Sequence, residues 1–459
     1  MARIESDKSD FTKGSIPSNI IRMAIPMTVA VLINSLYSIV DRIYLGHIPG
    51  AGSFALTGIG LAFPIITLIT AFQNLFGNGG APLFAMSSGK GDKDLAQRYL
   101  NNAAFMLVLC GVILTAVSYL VKEKVLWLIG ASADTFGYAN DYLDIYLIGT
   151  LFVMVSLGLN PYINAQGYAR TGMLTVLIGA VVNIVLDPIF IFVFHLGVKG
   201  AAWATIIAQF ISALWVVLFF SSKKTPIRIS FKGFRPELGL IGKIAGLGLT
   251  EFCFAITNSA VSMVCNAKLQ FFGGDAWVGT MTVISSLREV FQSLMHGVTG
   301  ASRPIISYNY GAKCYDRVKS CINWMFSILM TYFVLMWAVL MLFPSAFASL
   351  FTNEADVLAC CKVGIRLYFM LQFFMAFQCA GQSTYTALAM PKHALFFSLF
   401  RKVILVIPII LVLPNLFGLG VKGIFLAEPI SDIIGGLACY TTMRIVTRKK
   451  LNPESVTAA

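Results

Sequence analysis

The feature that most constrains this chain is a series of apolar runs, each long enough to cross a bilayer as a helix rising 1.5 Å per residue and each closed by a short polar stretch. The runs fall at roughly 19–45, 54–76, 100–121, 140–161, 172–195, 199–221, 241–267, 277–300, 321–343, 364–384, 395–415 and 421–442. Twelve runs in 459 residues leave about 38 residues for each, so no large extramembrane domain fits. Charged residues make up 12% of the chain and hydrophobic ones 57%. Soluble domains carry about 25% charged residues, so this chain lacks the polar atoms to cover a water-facing surface. The expected fold is an all-α integral membrane protein with about twelve transmembrane helices.

The net charge of +13 comes from 34 Lys and Arg against 21 Asp and Glu. These basic residues lie between apolar runs instead of forming one patch, which argues against nucleic acid as a partner. With the N-terminus in the cytoplasm, 25 of the 34 fall in cytoplasmic segments, among them Arg3, Lys8, Lys224, Arg401 and Lys402. The positive-inside rule then places both termini in the cytoplasm of a multi-pass inner- or plasma-membrane protein. Residues 1–15 are polar and mixed in charge, unlike a cleaved secretory signal. The nine cysteines show no CxxC pair and read as small core residues.

The longest connection, residues 222–240, divides the chain into an N-terminal lobe, 1–221, and a C-terminal lobe, 241–459. The lobes repeat each other. A shift of 220 aligns Gly77, Gly80, Ala81, Ser87, Gly91 and Lys93 with Gly297, Gly300, Ala301, Ser307, Gly311 and Lys313. A shift of 223 aligns Leu196-Gly197-Val198-Lys199-Gly200 with Leu419-Gly420-Val421-Lys422-Gly423. Six spans per lobe give two parallel six-helix repeats related by an axis along the membrane normal, an arrangement of secondary transporters with a central cleft.

The stretch Pro304-Ile305-Ile306-Ser307-Tyr308-Asn309-Tyr310-Gly311-Ala312-Lys313, its first-lobe counterpart Ser87-Ser88-Gly89-Lys90-Gly91-Asp92, and Asn183-Ile184-Val185-Leu186-Asp187-Pro188 resemble motifs of the multidrug and toxic compound extrusion (MATE) family of the MOP flippase superfamily. Arg303 departs from the Gln usual in that family. The resemblance implies a cation-coupled exporter of small amphipathic, often cationic compounds.

A carboxylate within a span must face protein or water, take up a proton or bind a cation. Asn34, Tyr37 and Asp41 share one face of the first span, and Asn183 and Asp187 one face of the fifth. Both sets lie toward the outer ends of their spans. Pro26 and Pro188 remove backbone donors nearby, so both helices are expected to bend or to expose carbonyl oxygens. The resemblance implies that Asp41 and Asp187 bind the coupling H+, or Na+ as metal ligands if the protein is sodium-coupled, with Asn183 as partner. The competing readings are a water-exposed Asp41 paired with Arg42 and a structural, hydrogen-bonded Asp187.

In the second lobe, a shift of 222 places Leu405 and Ile409 opposite Asn183 and Asp187, so that pair has no copy. Glu251 leads a stripe with Asn258, Ser262 and Asn266, as a substrate or coupling residue or as the ion-pair partner of Arg288. Glu289 is expected to pair with Arg288. Glu428 matches a family position, with helix packing beneath Pro429 as its alternative. The 36 Phe and 18 Met suit a cavity tolerant of many shapes, and equally suit lipid contact.

No Walker A, HExxH or GxSxG pattern occurs, so no enzyme, no catalytic residue and no resident cofactor are expected. The expectation is a monomeric, lipid-embedded multidrug exporter that antiports its substrates against H+ or Na+ by alternating access. The rivals are a lipid-linked oligosaccharide flippase, which would need a strongly basic cavity where the spans offer Arg288, and a membrane-embedded enzyme.

Overall fold

The computed structural model describes residues 10–48, 52–223, 225–351, 355–416 and 418–452. Arg3, Lys8 and Lys224, and both chain ends, lie outside the described residues. Among the described residues there are helices and turns and no strand. The long helices are α1 (Ile16–Gly46), α2 (Gly52–Gly89), α3 (Lys93–Leu128), α4 (Ala133–Ala165), α5 (Ala169–Val193), α6 (Val198–Ser221), α7 (Leu238–Gly273), α8 (Asp275–Gly311), α9 (Tyr315–Leu342), α10 (Asp356–Ala387), α11 (Pro391–Asn415) and α12 (Val421–Lys450). Eleven of them are long and apolar enough to cross a membrane. The twelfth, α8, is 37 residues long but carries Arg288, Glu289, His296 and Arg303. Most helices extend beyond the apolar runs, because capping and turn residues end a helix and hydropathy does not. Asp92, for example, starts α3 by accepting from the Leu95 amide at 2.9 Å.

Large apolar side chains point outward from these helices: Leu120 is 81% exposed, Met263 74% and Phe271 78%. In water such a surface would drive aggregation. Against hydrocarbon it costs nothing, and the chain is a multi-pass membrane protein.

The repeat seen in the sequence returns as backbone geometry. Positive φ occurs at Gly91 and Lys313, at Gly167 and Ala389, at His195 and Gly418, and at Gly197 and Gly420, pairs that are 222 or 223 residues apart. Gly197 (φ 54°, ψ −129°) and Gly420 (φ 51°, ψ −128°) hold the same conformation at the starts of α6 and α12. Side chains rarely tolerate that conformation, which explains why Gly stands at both positions. After α2 and α8 the matching turn bonds are Asp92 N to Ser87 O, 3.1 Å, and Cys314 N to Asn309 O, 2.9 Å. The backbone equivalent of Gly91 is therefore Lys313. Gly311, which a shift of 220 pairs with Gly91, instead ends α8.

The chain separates into two compact units, one of Val29–Phe252 and the other of Thr12–Thr28 with the chain from Cys253 onward. Each unit therefore holds the opening turns of the other's first helix. In the first unit, α2 meets the start of α7 backbone to backbone: a Cβ on Gly248 would sit 1.9 Å from Leu75 O, and one on Gly79 2.4 Å from Ile244 O. In the second, a Cβ on Gly297 of α8 would sit 1.9 Å from Thr28 Oγ1 of α1. Small residues permit this approach, and dispersion plus weak C–H contacts hold it where no hydrophobic effect operates between helices.

The connection 222–240 lies within the first unit and is tied to it. Asn101 bonds Ser230 N and O, Gln166 bonds Ile227 N and O, and Arg98 grips both carboxylate oxygens of Glu237. The hydrogen bonds from Arg98 hold the Glu237 carboxyl below its usual range. Lys122 is buried against Asp144 and Asn140, so it neutralises a carboxylate within α4 instead of serving as a loop charge.

Gly248→Leu should remove the folded, monodisperse protein from detergent extracts. Gly246→Leu, at a position with nothing within 4 Å of the added Cβ, should leave it intact. Size-exclusion profiles of the two variants check this.

Candidate functional site

The first unit gathers the polar faces of α1 and α5. Asn34, Tyr37 and Asn183 line a cavity of about 20 Å³, together with Thr175, Gly179, Thr205, Gln209 and Ser212. Asn183 and Asp187 are buried, at 2% and 0% exposure, whereas Asp41 is half-buried. The Asp41 and Asp187 carboxyls lie within hydrogen-bonding reach of each other. Asn183 Nδ2 donates to Asp187 Oδ1 at 3.3 Å and to Thr205 Oγ1 at 3.4 Å, which fixes its amide oxygen on the opposite side. Asp41 Oδ1, Asn183 Oδ1 and Asp187 Oδ2 are then buried with no hydrogen-bond partner among the described residues.

Three acceptor oxygens without a donor leave an unpaid desolvation cost that a proton or a cation removes. A group of three or more His, Cys, Asp or Glu placed to hold a metal ion does not occur among the described residues. A cation here would draw on the two carboxylates, hard oxygen donors of the kind that alkali ions prefer over transition metals, with the Asn183 amide nitrogen bonded to Asp187. Local chain geometry supports the arrangement. Pro188 follows Asp187 directly, and the helix widens into a π turn over Ile189–Val193, the sort of local irregularity common at functional positions.

The α6 contribution was not anticipated from the sequence. Thr205, Gln209 and Ser212 repeat at i, i+4 and i+7 in an otherwise apolar helix, and that stripe was the available signal.

The second unit holds a different cluster. Arg401 donates through one guanidinium nitrogen to Glu428 Oε2 at 3.0 Å and to Asp432 Oδ1 at 2.7 Å, while Lys402 donates to Glu428 Oε1 at 2.8 Å. All four residues are buried, with exposures of 3%, 2%, 8% and 3% for Arg401, Lys402, Glu428 and Asp432. Arg401 and Lys402 are therefore not cytoplasmic orienting charges: they sit in a π-helical stretch of α11, Phe400–Val406, facing α12. Glu428 is an ion-pair acceptor in this network.

Arg288 donates to Tyr368 Oη at 3.0 Å and lies within electrostatic reach of Glu428, whereas Glu289 is exposed. Glu251 is half-buried and belongs to the first unit, whereas Asn258 lines a cavity of the second with Ser262, Arg288, Tyr368 and Glu428.

Twelve long helices among the described residues, a duplicated backbone and a buried acceptor cluster inside an apolar bundle are the features of a membrane transporter. The MatE family model matches residues 26–189 and 250–412, most of the chain, and the chain belongs to that family. Among its relatives is the multidrug export protein MepA of Staphylococcus haemolyticus strain JCSC1435, 24% identical over 444 residues, spanning 96% of this chain and 97% of that protein. MepA of Staphylococcus aureus strain MSSA476 is 22% identical over 434 residues, spanning 94% and 95%. The fold superposes on MATE in the bent conformation with a TM-score of 0.91 at 21% identity, covering 98% of this chain and 99% of that one. It superposes equally on the outward-facing conformation of a multidrug resistance MATE family transporter of the MOP superfamily, with a TM-score of 0.90 at 21% identity, covering 96% and 98%.

Removing one member of the buried charge network strands its partners. Arg401→Met should cost about 3–5 kcal/mol, read as a large fall in thermal unfolding temperature in detergent. The double change Arg401→Met with Asp432→Asn should cost less than the sum of the two single changes.

Proposed function

We propose that this chain is a secondary active multidrug exporter that antiports small amphipathic or cationic compounds against H+ or Na+ by alternating access. The observation that carries the reading is the set of three buried acceptor oxygens, Asp41 Oδ1, Asn183 Oδ1 and Asp187 Oδ2, with no donor to meet them. The export names carried by the MepA relatives support the substrate class.

In this reading the coupling cation enters at Asp41 and Asp187, with Asn183 as hydrogen-bond partner of Asp187 and Tyr37 and Asn34 at the cavity wall. Cation binding drives a conformational change only if affinity differs between the two states. A half-buried Asp41 beside a fully buried Asp187 supplies the means: movement of α1 would separate the two carboxyls and weaken the site. Glu251, Asn258 and Glu289 then have a lesser part in coupling or substrate contact.

The protein works as a monomer in the inner or plasma membrane, surrounded by lipid, with both termini cytoplasmic and no resident cofactor. A lipid-linked oligosaccharide flippase is less well supported, because Arg401 and Lys402 are already committed to Glu428 and Asp432 and leave too little basic surface for a pyrophosphate.

Dye accumulation in everted vesicles, with ΔpH and ΔNa+ imposed separately, identifies the coupling ion. Asp187→Asn keeps the side-chain volume and removes the ionisable group, so export should fall to background while the protein remains inserted. Wild-type export by that variant would reject the assignment. Glu251→Gln should reduce export less than Asp187→Asn does in the same assay.

A further inference from the structure

We infer that the second-unit cavity is a binding site for a small monovalent anion, a halide or a carboxylate group, held by the Arg288 guanidinium.

The argument begins with charge. Arg288 and Glu428 line this cavity, and Arg401, Lys402 and Asp432 are linked to it through Glu428, so three buried or half-buried cations stand against two carboxylates. Three against two leaves one positive charge in excess inside an apolar bundle, where an uncompensated charge is expensive. The pairing shows where the excess resides. Glu428 accepts from Arg401 on Oε2 and from Lys402 on Oε1, so both its oxygens are engaged, and Asp432 accepts from Arg401. Arg288 hydrogen-bonds a phenol, Tyr368 Oη, which satisfies one of its five N–H groups, and Glu428 on the same wall, with both oxygens already engaged, offsets its charge only in part.

The lining carries a guanidinium, which the first-unit cavity lacks. Asn258, Ser262 and Tyr368 stand with Arg288 on the wall, against Val261, Met281, Ile410 and Phe425. Glu428 also lines the cavity, but its charge is met by two cations. A positive excess repels a coupling cation, so this site does not duplicate the one at Asp41 and Asp187. Size sets the other limit. The cavity is about 20 Å³, which holds a group close to the size of a water. A halide or a carboxylate head fits, and a phosphodiester or pyrophosphate does not. Guanidinium and carboxylate are also matched in geometry, through two parallel N–H to O bonds.

The test is binding to the purified full-length chain in detergent, with sulfate as the background anion and chloride titrated while its NMR line broadening is followed. This readout is independent of export, so its failure and the failure of the antiport reading are separable. Wild-type protein should broaden the chloride line above the empty-micelle control. Arg288→Gln should weaken binding by about tenfold or more. Tyr368→Phe, which deletes the phenol that orients the guanidinium, should weaken it severalfold. Glu428→Gln removes a negative charge from the wall and should tighten binding severalfold, a change opposite in sign to what a merely loosened fold would give.

Displacement of chloride by acetate identifies a carboxylate as an acceptable occupant, whereas saturable chloride binding that acetate does not disturb identifies a halide site. Absence of excess broadening in the wild type, or equal broadening in Arg288→Gln, overturns the proposal. If Arg288→Gln does not fold, the opposite responses expected of Tyr368→Phe and Glu428→Gln still decide it: weakening of binding by both variants overturns the site.

Discussion

Hydrocarbon offers no hydrogen bonds, and the rest of this molecule follows from that constraint. Every backbone amide must be satisfied within its own helix or by protein nearby, and every ionisable side chain must find a partner, water or a ligand. The long helices answer the first demand. Lys122 with Asp144, Arg401 with Glu428 and Asp432, and Lys402 with Glu428 answer the second. The demand is met least at the acceptors around Asp187 and at the guanidinium of Arg288, and those are the two places where the proposals above put ligands.

Much of the architecture was legible because hydropathy and repetition are coarse, redundant signals. The run at 199–221 marks α6 almost to the residue, and the Leu-Gly-Val-Lys-Gly pentapeptides mark two turns whose dihedral angles agree within 3°. α8 shows the limit of that signal. Its polar residues lower its hydropathy below that of the other long helices, yet its length of 37 residues and its place in the repeat identify it.

The candidate site was legible in part. Asn34, Tyr37, Asn183 and Asp187 come together as their helical spacing suggests. The second-half network was not, and the reason is physical. Arg401 and Lys402 lie ten and eleven residues after the start of α11, and adjacent basic residues near a helix start read as interfacial charges. Only the approach of α12, with Glu428 and Asp432 one turn apart, shows that they are buried and paired. Sequence spacing reports which residues share a helix face, whereas the partner of that face is a tertiary fact. The repeat hid the difference as well, since its backbone persists while Asn183 and Asp187 give way to Leu405 and Ile409.

The exchange of opening turns between the two compact units has a consequence for biosynthesis. Residues 12–28 are made well before α8, which their unit also needs and where Gly297 receives Thr28, some 269 residues later in the chain. At about 5–20 residues per second of translation, the first helix waits roughly 15–50 s for that surface. The first unit likewise stays incomplete until Gly248 has been synthesised. Neither half of the gene therefore encodes a complete unit, and the insertion machinery must hold α1 in the bilayer, half-packed, while most of the remaining protein is threaded past it.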